Sequence, residues 1–408
     1  MRDTFVPRLR PVEMIFVPDA RWGKLLILRD TQRISSAIAH IPPALVAIVA
    51  QIDGKKSCKQ IARELESEYG DEAQSLVLEL VRQLDESLFL DSDTFARALE
   101  KAKGEFLAAQ LRPAIHAGGA YHEDPEALRT YIVDHCYAPA RSTALPGHAC
   151  ALVSPHIDPW RGAVAYGHAY QTFAEALSSE TDTFLVFGTA HAPMHEPFAL
   201  LNKGFDTPLG AVPVAGDLVN ELSTSARFDP FRDVLNHKGE HSIEFQAVFL
   251  RHAMAKKPIR IVPILAGLGA LQARGGDPQR DARVTHFLGK IANMVAREGS
   301  RIAVIAGADL AHVGPRFGDR RAFNEDERAD LAAVDGESLA RSSACEPSLF
   351  WEHVAHDLDR RRVCGLAPMY ALLRSIGADA RGHTIDYAQN VDPDDGSIVS
   401  YAAQVFVR

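Results

Sequence analysis

Three histidines stand where short apolar runs end. Ser154-Pro155-His156-Ile157-Asp158 follows the run Ala149 to Val153, Gly188-Thr189-Ala190-His191 follows Thr183 to Phe187, and Gly307-Ala308-Asp309-Leu310-Ala311-His312 follows Ile302 to Ala306. In open α/β sheets ligands bind beyond the carboxyl ends of the strands, so residues in these positions are the ones that could do chemistry. A lone histidine there is commonly a hydrogen-bonded structural residue, but three at successive strand ends, out of 17 in the chain, point to a shared site. Neutral imidazole suits zinc, copper and iron, and two imidazoles with one anionic ligand leave coordination positions open for a substrate.

Two further segments offer the anion and the acid/base groups. Cys364, in Arg361-Arg362-Val363-Cys364-Gly365-Leu366-Ala367-Pro368, precedes a helical pattern carrying Met369, Leu372 and Leu373. A thiol at a helix N-terminus beside arginines has a lowered pKa, which favours the thiolate that binds metals or attacks electrophiles; the competing reading is a small buried apolar residue. Gly239-Glu240-His241-Ser242-Ile243-Glu244-Phe245-Gln246 reads as a helix with Glu240 and Glu244 on one face and His241 and Phe245 on another. It either brings a carboxylate and an imidazole to the site or presents a solvated acidic face. Its spacing is not the HExxH of zinc proteases.

The elements that must position these residues fall in two regions. Residues 112–408 alternate apolar runs, also including Ile259 to Leu265 and Ala402 to Val407, with amphipathic helical patterns. That alternation predicts a central, mostly parallel sheet with helices on both faces. Residues 1–95 predict a small winged-helix-like α+β domain: a strand at Lys24 to Leu28, a helix from Ala44 to Ile52 opened by Pro42-Pro43, a Ser57-capped helix ending near Tyr69-Gly70, a third with Leu76, Leu80, Val81 and Leu84 at helical spacing, and a closing strand at Leu88 to Asp91. Residues 96–111 read as a helical linker, and Arg112-Pro113 with Gly118-Gly119 as boundary punctuation.

Composition excludes several classes. Of 408 residues 47% are hydrophobic and 24% charged, values of a globular chain rather than a disordered one. The formal net charge of -9, with no strongly basic run, argues against nucleic acid as a partner. No apolar run approaches the ~18 residues of a membrane span and the N-terminal stretch does not read as a signal peptide, so the expectation is a cytoplasmic protein without a membrane partner. Five scattered cysteines form no CxxC pair, which disfavours a disulfide framework and a zinc knuckle.

Taken in order, Ser154-Pro155-His156, Gly188-Thr189-Ala190-His191, Phe205-Asp206-Thr207-Pro208-Leu209-Gly210, Glu240-His241-Ser242-Ile243-Glu244, Val262-Pro263-Ile264-Leu265, Ala308-Asp309-Leu310-Ala311-His312 and Cys364-Gly365 resemble the Memo family. Its bacterial and archaeal members are called AmmeMemoRadiSam system protein B. The resemblance implies a fold like that of class III extradiol dioxygenases, with a cysteine where those enzymes carry a carboxylate ligand. It implies His156, His191 and Cys364 as metal ligands, His312 as the acid/base histidine, and Asp309 and His241 as pocket residues that join it in the catalytic set. Iron or copper is the metal so implied, with zinc a third candidate. His156-Ile157-Asp158 departs from the family's usual His-Ala-Gly, and Asp158 is expected to orient His156 rather than bind metal. Glu244 is expected in the same supporting shell. The front region is similar, over about 14–91, to PqqD-like modules that recognise peptides; an accessory helical domain is the alternative.

The implied function is a metal-dependent redox enzyme, oxygen-using, acting on a small molecule or peptide. A radical S-adenosylmethionine enzyme and an AMMECR-type protein are the partners that the family's naming suggests; the chain has no CxxxCxxC motif and so is not the radical enzyme itself. The alternatives are a non-catalytic metal- or peptide-binding protein whose front module recruits a partner, and a metal-dependent hydrolase.

Overall fold

Runs that are apolar at every position can only be strands buried on both sides, and in the computed structural model, which describes residues 2–255 and 257–408, they are. The chain divides into two compact units, 1–109 and 110–408.

The front unit begins with an antiparallel sheet of β1 (Glu13–Asp19), β2 (Gly23–Arg29) and β3 (Ile38–Ile41) in that order. Helices Pro43–Ala50, Cys58–Glu64, Glu66–Tyr69 and Ala73–Glu86 follow, and Leu26, Leu28, Ile48, Ile61, Val77 and Val81 close the core between them and the sheet. Ser57 and Gln60 form a reciprocal capping box, which fixes where the second helix starts. The stretch Leu88 to Asp91 is a correction to the sequence reading. It is no strand: Leu88 takes a left-handed φ of 62° just past the helix end, the Phe89 amide returns to the Leu84 carbonyl, and Leu90 makes only an isolated bridge to Leu9. The helix Asp93–Ala108, read from sequence as a linker, groups with the front unit.

The second unit opens with the short β4 (Leu111–Arg112), which pairs with β8 (Gly204–Phe205). Its main sheet contains β5 (Ala149–Ser154), β6 (Thr183–Thr189), β7 (Phe198–Leu200), β9 (Arg260–Ala266), β10 (Ile302–Gly307), β11 (Asp309–Val313), β12 (Arg381–Val391) and β13 (Ile398–Val407). The order is β11-β13-β5-β10-β6-β9-β7, with β12 on β13; the four central strands β5, β10, β6 and β9 run parallel and the flanking ones antiparallel. Leu185, Phe187, Val304 and Ala306 pack with the helices Ala282–Glu298 and Leu366–Ile376. The alternate residues Phe184, Val186, Ala303 and Ile305 face the helices Pro159–Ala176 and Ser242–Ala253, where Phe173 meets Phe184 and Phe249 stacks on Tyr166. This is the predicted α/β architecture, its parallel core bordered by antiparallel strands.

Register decides where the site forms. Gly307 lies level with Ser154 on one side and Gly188 on the other, so three neighbouring strands end at one height and release His156, His191 and Asp309 together.

Candidate metal centre

A β-carbon on Gly307 would lie 2.3 Å from the Ser242 carbonyl oxygen, and one on Gly188 2.5 Å from the Ser242 hydroxyl. Both strand ends therefore need glycine so that the helix Ser242–Ala253 can seat its N-terminus against them. Thr189 then ties the site's third wall: its hydroxyl donates to the Cys364 carbonyl at 3.0 Å and its carbonyl accepts from the Ser242 hydroxyl at 2.9 Å. Gly365 lies against Asp309, whose carbonyl accepts the Gly365 amide at 2.9 Å.

The result brings His156, His191 and Cys364 together from three distant stretches of chain, with their potential ligand atoms all within 4.8 Å of one another. Cys364 Sγ is 3.2 Å from His156 Nε2. Each ring is held from behind. His156 Nδ1 meets the Gly307 carbonyl at 2.9 Å and its amide donates to Asp309 Oδ1 at 2.8 Å. His191 Nδ1 lies 3.0 Å from both Glu240 oxygens, and its amide donates to Glu240 as well. Fixing Nδ1 in this way leaves Nε2 as the free donor and sets the ring's direction, the arrangement found behind metal-binding histidines. The donor set of two imidazoles and one thiol, with a carbonyl and a carboxylate behind them, thus suits a transition-metal ion.

Charges follow from this packing. Burial alone would raise the Cys364 thiol, but the His156 and His312 rings hold it down to about 5. Burial likewise opposes a charged His156, yet the Cys364 thiolate and Asp309 push that ring up to about 9. Glu240, buried but facing His191, is held well below the ordinary carboxylate range. His241 is pushed well below the usual imidazole value by burial, Glu240 opposing and the neighbouring rings reinforcing the shift. In metal-free protein, iodoacetamide should label Cys364 with a rate that climbs through about pH 5 as the thiolate forms and levels off near neutrality. Cys136 and Cys150, buried and pushed up to about 12 and 11, should stay unlabelled. Mass spectrometry of labelled peptides across pH reads this; labelling of Cys364 that begins only near its ordinary value of 9.0 would contradict the thiolate.

The other sequence-predicted residues take definite places. His241 stacks on His191, with ring centroids 4.7 Å apart, and stands perpendicular to His156 at 5.3 Å. Asp309 braces His156 from below. His312 lies on β11 rather than in a loop, half-buried, its ring edge-on to Phe317 and near enough to Cys364 to stabilise the thiolate. Asp158 does not touch His156: it caps the helix Pro159–Ala176 through the Arg161 amide and pairs with the Arg161 guanidinium. The orienting position is filled by Gly307 and Asp309. Glu244 lies on the first turn of its helix but turns away from the ligand trio, toward Arg112, His116 and Tyr121. Glu240 is not on that helix at all, because the chain is extended there, at φ -80° and ψ 135°, and the helix starts only at Ser242.

Sequence reasoning missed the roles of four residues. Glu240 as the brace of His191 was visible only as an acid next to a histidine. Arg112 was read as boundary punctuation and His116 and Tyr121 were given no role, although an arginine, a histidine and a tyrosine within ten residues is a polar pattern that a boundary does not need.

A parallel-cored α/β sheet with two histidines at its strand ends and a cysteine beside them defines a class of fold with a group that could hold a metal ion, and comparison with known families narrows it. The family model described as "Memo-like protein" matches residues 112–405, and the chain belongs to that family. A MEMO1 family protein of Aquifex aeolicus is 25% identical over 389 residues, covering 94% of this chain and 96% of its own, so the match runs across both units. MEMO1 family proteins of Methanosarcina barkeri and Thermus thermophilus are each 30% identical, over 62% and 63% of this chain and 84% and 72% of theirs. The match to the Aquifex relative thus extends over the front unit, ahead of the residues that the family model matches.

Proposed function

We propose that the second unit is a redox enzyme built around one metal ion held by His156, His191 and Cys364. The observation that carries this reading is the convergence of three ligand atoms within 4.8 Å, each imidazole braced at Nδ1. A metal bound there would supply electron transfer and an open coordination face for substrate, iron or copper being favoured by the thiolate and zinc the third candidate. The protein's own residues do the rest. Glu240 and Asp309 fix the rings, His241 lies beside both ligating imidazoles as a neutral base, and half-buried His312 exchanges protons with solvent.

Elemental analysis of the purified full chain tests the reading: about one iron or copper per chain is expected, and protein that binds none of iron, copper or zinc on reconstitution would end it. Substrate turnover under oxygen and its loss under anaerobic conditions would separate an oxygen-using enzyme from a hydrolase, whose activity persists without oxygen. The second reading is a non-catalytic metal- or peptide-binding protein, with the front unit as a PqqD-like recruiting module, since a fold does not guarantee chemistry. A radical S-adenosylmethionine enzyme and an AMMECR-type protein are the proposed partners, in the cytoplasm. No helix among the described residues is long and apolar enough to cross a membrane.

A further inference from the structure

Arginines gather next to the candidate centre in a chain that is acidic as a whole, with a formal net charge of -9. A cavity of about 250 Å³ is lined by Asp319, Arg320, Arg321, Arg360, Arg362 and Glu327, with Phe323 at its side. Two of the four arginines are committed. Arg362 holds Asp319 through both nitrogens, at 3.0 and 3.3 Å, and Arg321 holds Glu327 at 2.7 and 2.8 Å. Arg320 and Arg360 form no ion pair among the described residues, although Arg360 acts on Asp319 through space, so the lining sets four arginines against two carboxylates and carries a net excess of positive charge.

Fixed and free cations together make a receptor. The paired arginines are rigid, because Asp319 also accepts the Gly314 amide at 2.7 Å and Glu327 closes a capping box with Asn324. Such walls shape a cleft, and uncompensated guanidinium groups in a cleft concentrate anions and bind planar or tetrahedral oxyanions through two nitrogens at once. The volume falls below the roughly 300 Å³ at which pockets begin to hold a whole ligand, so it fits one charged group of a larger molecule.

Its placement ties it to the site. Arg362 stands two residues before Cys364 and donates to the His312 carbonyl at 3.2 Å, and His312 packs on Phe317 in the same loop that carries Asp319 and Arg320. We propose that this cavity is a subsite for an oxyanion group, phosphate or carboxylate, of a small-molecule ligand whose remainder reaches the His156, His191 and Cys364 centre. The proposal deepens the reading of that centre as an enzyme site and rests on it for the ligand's second half.

The test uses full-length protein stripped of metal, titrated calorimetrically at low ionic strength with inorganic phosphate and, separately, malonate. Saturable binding with a dissociation constant on the order of millimolar is expected, weakened about tenfold or more in Arg320→Gln/Arg360→Gln. Tighter binding of phosphate assigns a phosphorylated ligand, and tighter binding of malonate a carboxylated one. Neither anion binding to the wild type, or equal binding to the double variant, overturns the subsite. Metal content measured on the same preparations keeps the two ideas apart: a chain that binds anions but no metal retains the subsite and loses the enzyme reading, while one that binds metal but no anion does the reverse.

Discussion

Replacing Arg112 by methionine should cost the second unit about 3–5 kcal/mol of stability, the usual consequence of stranding one member of a buried ion pair. Arg112 and Glu244 are both fully buried and in direct contact. The guanidinium also donates to the carbonyls of Pro113, His237 and Glu240, at 2.7, 3.1 and 2.6 Å. Methionine fills the space but leaves a carboxylate and several carbonyls without their donors, each an unpaired buried polar group. Arg112→Met/Glu244→Gln should recover part of the loss, because the uncompensated charge is gone. Urea denaturation measures both, and equal midpoints for wild type and Arg112→Met would show that the pair does not hold the unit together.

Acid should reproduce the effect in the wild type. Burial alone would raise the Glu244 carboxyl, but Arg112 and His116 hold it down to about 2 against an ordinary 4.5. A depressed acid contributes stability that is present above its unfolded value and disappears as pH falls through its folded one. The contribution, roughly 3 kcal/mol, should therefore fade between about pH 4.5 and 2. The double variant should lack that component of the acid transition.

Which parts of the molecule could be read from the chain follows from what each residue answers to. β5, β6 and β10 were legible because burial on both faces leaves almost no polar position to break the apolar run, and β9 and β13 stayed legible although Arg260 and Gln404 fall inside theirs. β12 was not, since its residues are mostly half-buried on a rim strand, and β11 was hidden because Asp309-Leu310-Ala311-His312 resembles a functional loop more than a strand. Chain turns of one residue decide the supporting side chains, and periodicity does not see them. The extended backbone at Glu240 makes the helix start two residues later than the pattern suggests and hands that carboxylate to His191 rather than to the face shared with Glu244. Asp158 offered a better clue than was used: an aspartate followed by Pro159 is the signature of a helix cap with proline in the first turn, and capping is its role. His156, His191 and Cys364 still meet, the two histidines because strand ends are fixed by the sheet and Cys364 because it stands just before the buried helix Leu366–Ile376.

Metal affinity should fall in two grades, and the grading discriminates a coordination site from a mere polar pocket. His156→Ala or Cys364→Ala removes a ligand outright and should weaken binding on the order of a thousandfold, since ~10–16 kcal/mol of binding shared among three protein donors is roughly 3–5 kcal/mol for each. Glu240→Gln leaves all three ligands in place and should weaken binding only about 10–100-fold. The smaller loss has a specific cause. Glu240 accepts from the His191 amide and ring and from the amides of His241 and Ser242, and all of these are donors. A carboxylate can serve them all because it is an acceptor at both oxygens; an amide turns one of the two into a donor facing another donor. His191 then loses the partner that fixes its ring direction, while His156, held by Gly307 and Asp309, keeps its own. Competition titration of each variant with a chelator of known affinity measures the series. Wild-type affinity in Cys364→Ala would mean that the ion sits elsewhere, and a loss in Glu240→Gln well beyond that in His156→Ala would point to Glu240 with His191 and His241 as the true ligands, since these three also lie within 4.8 Å of one another.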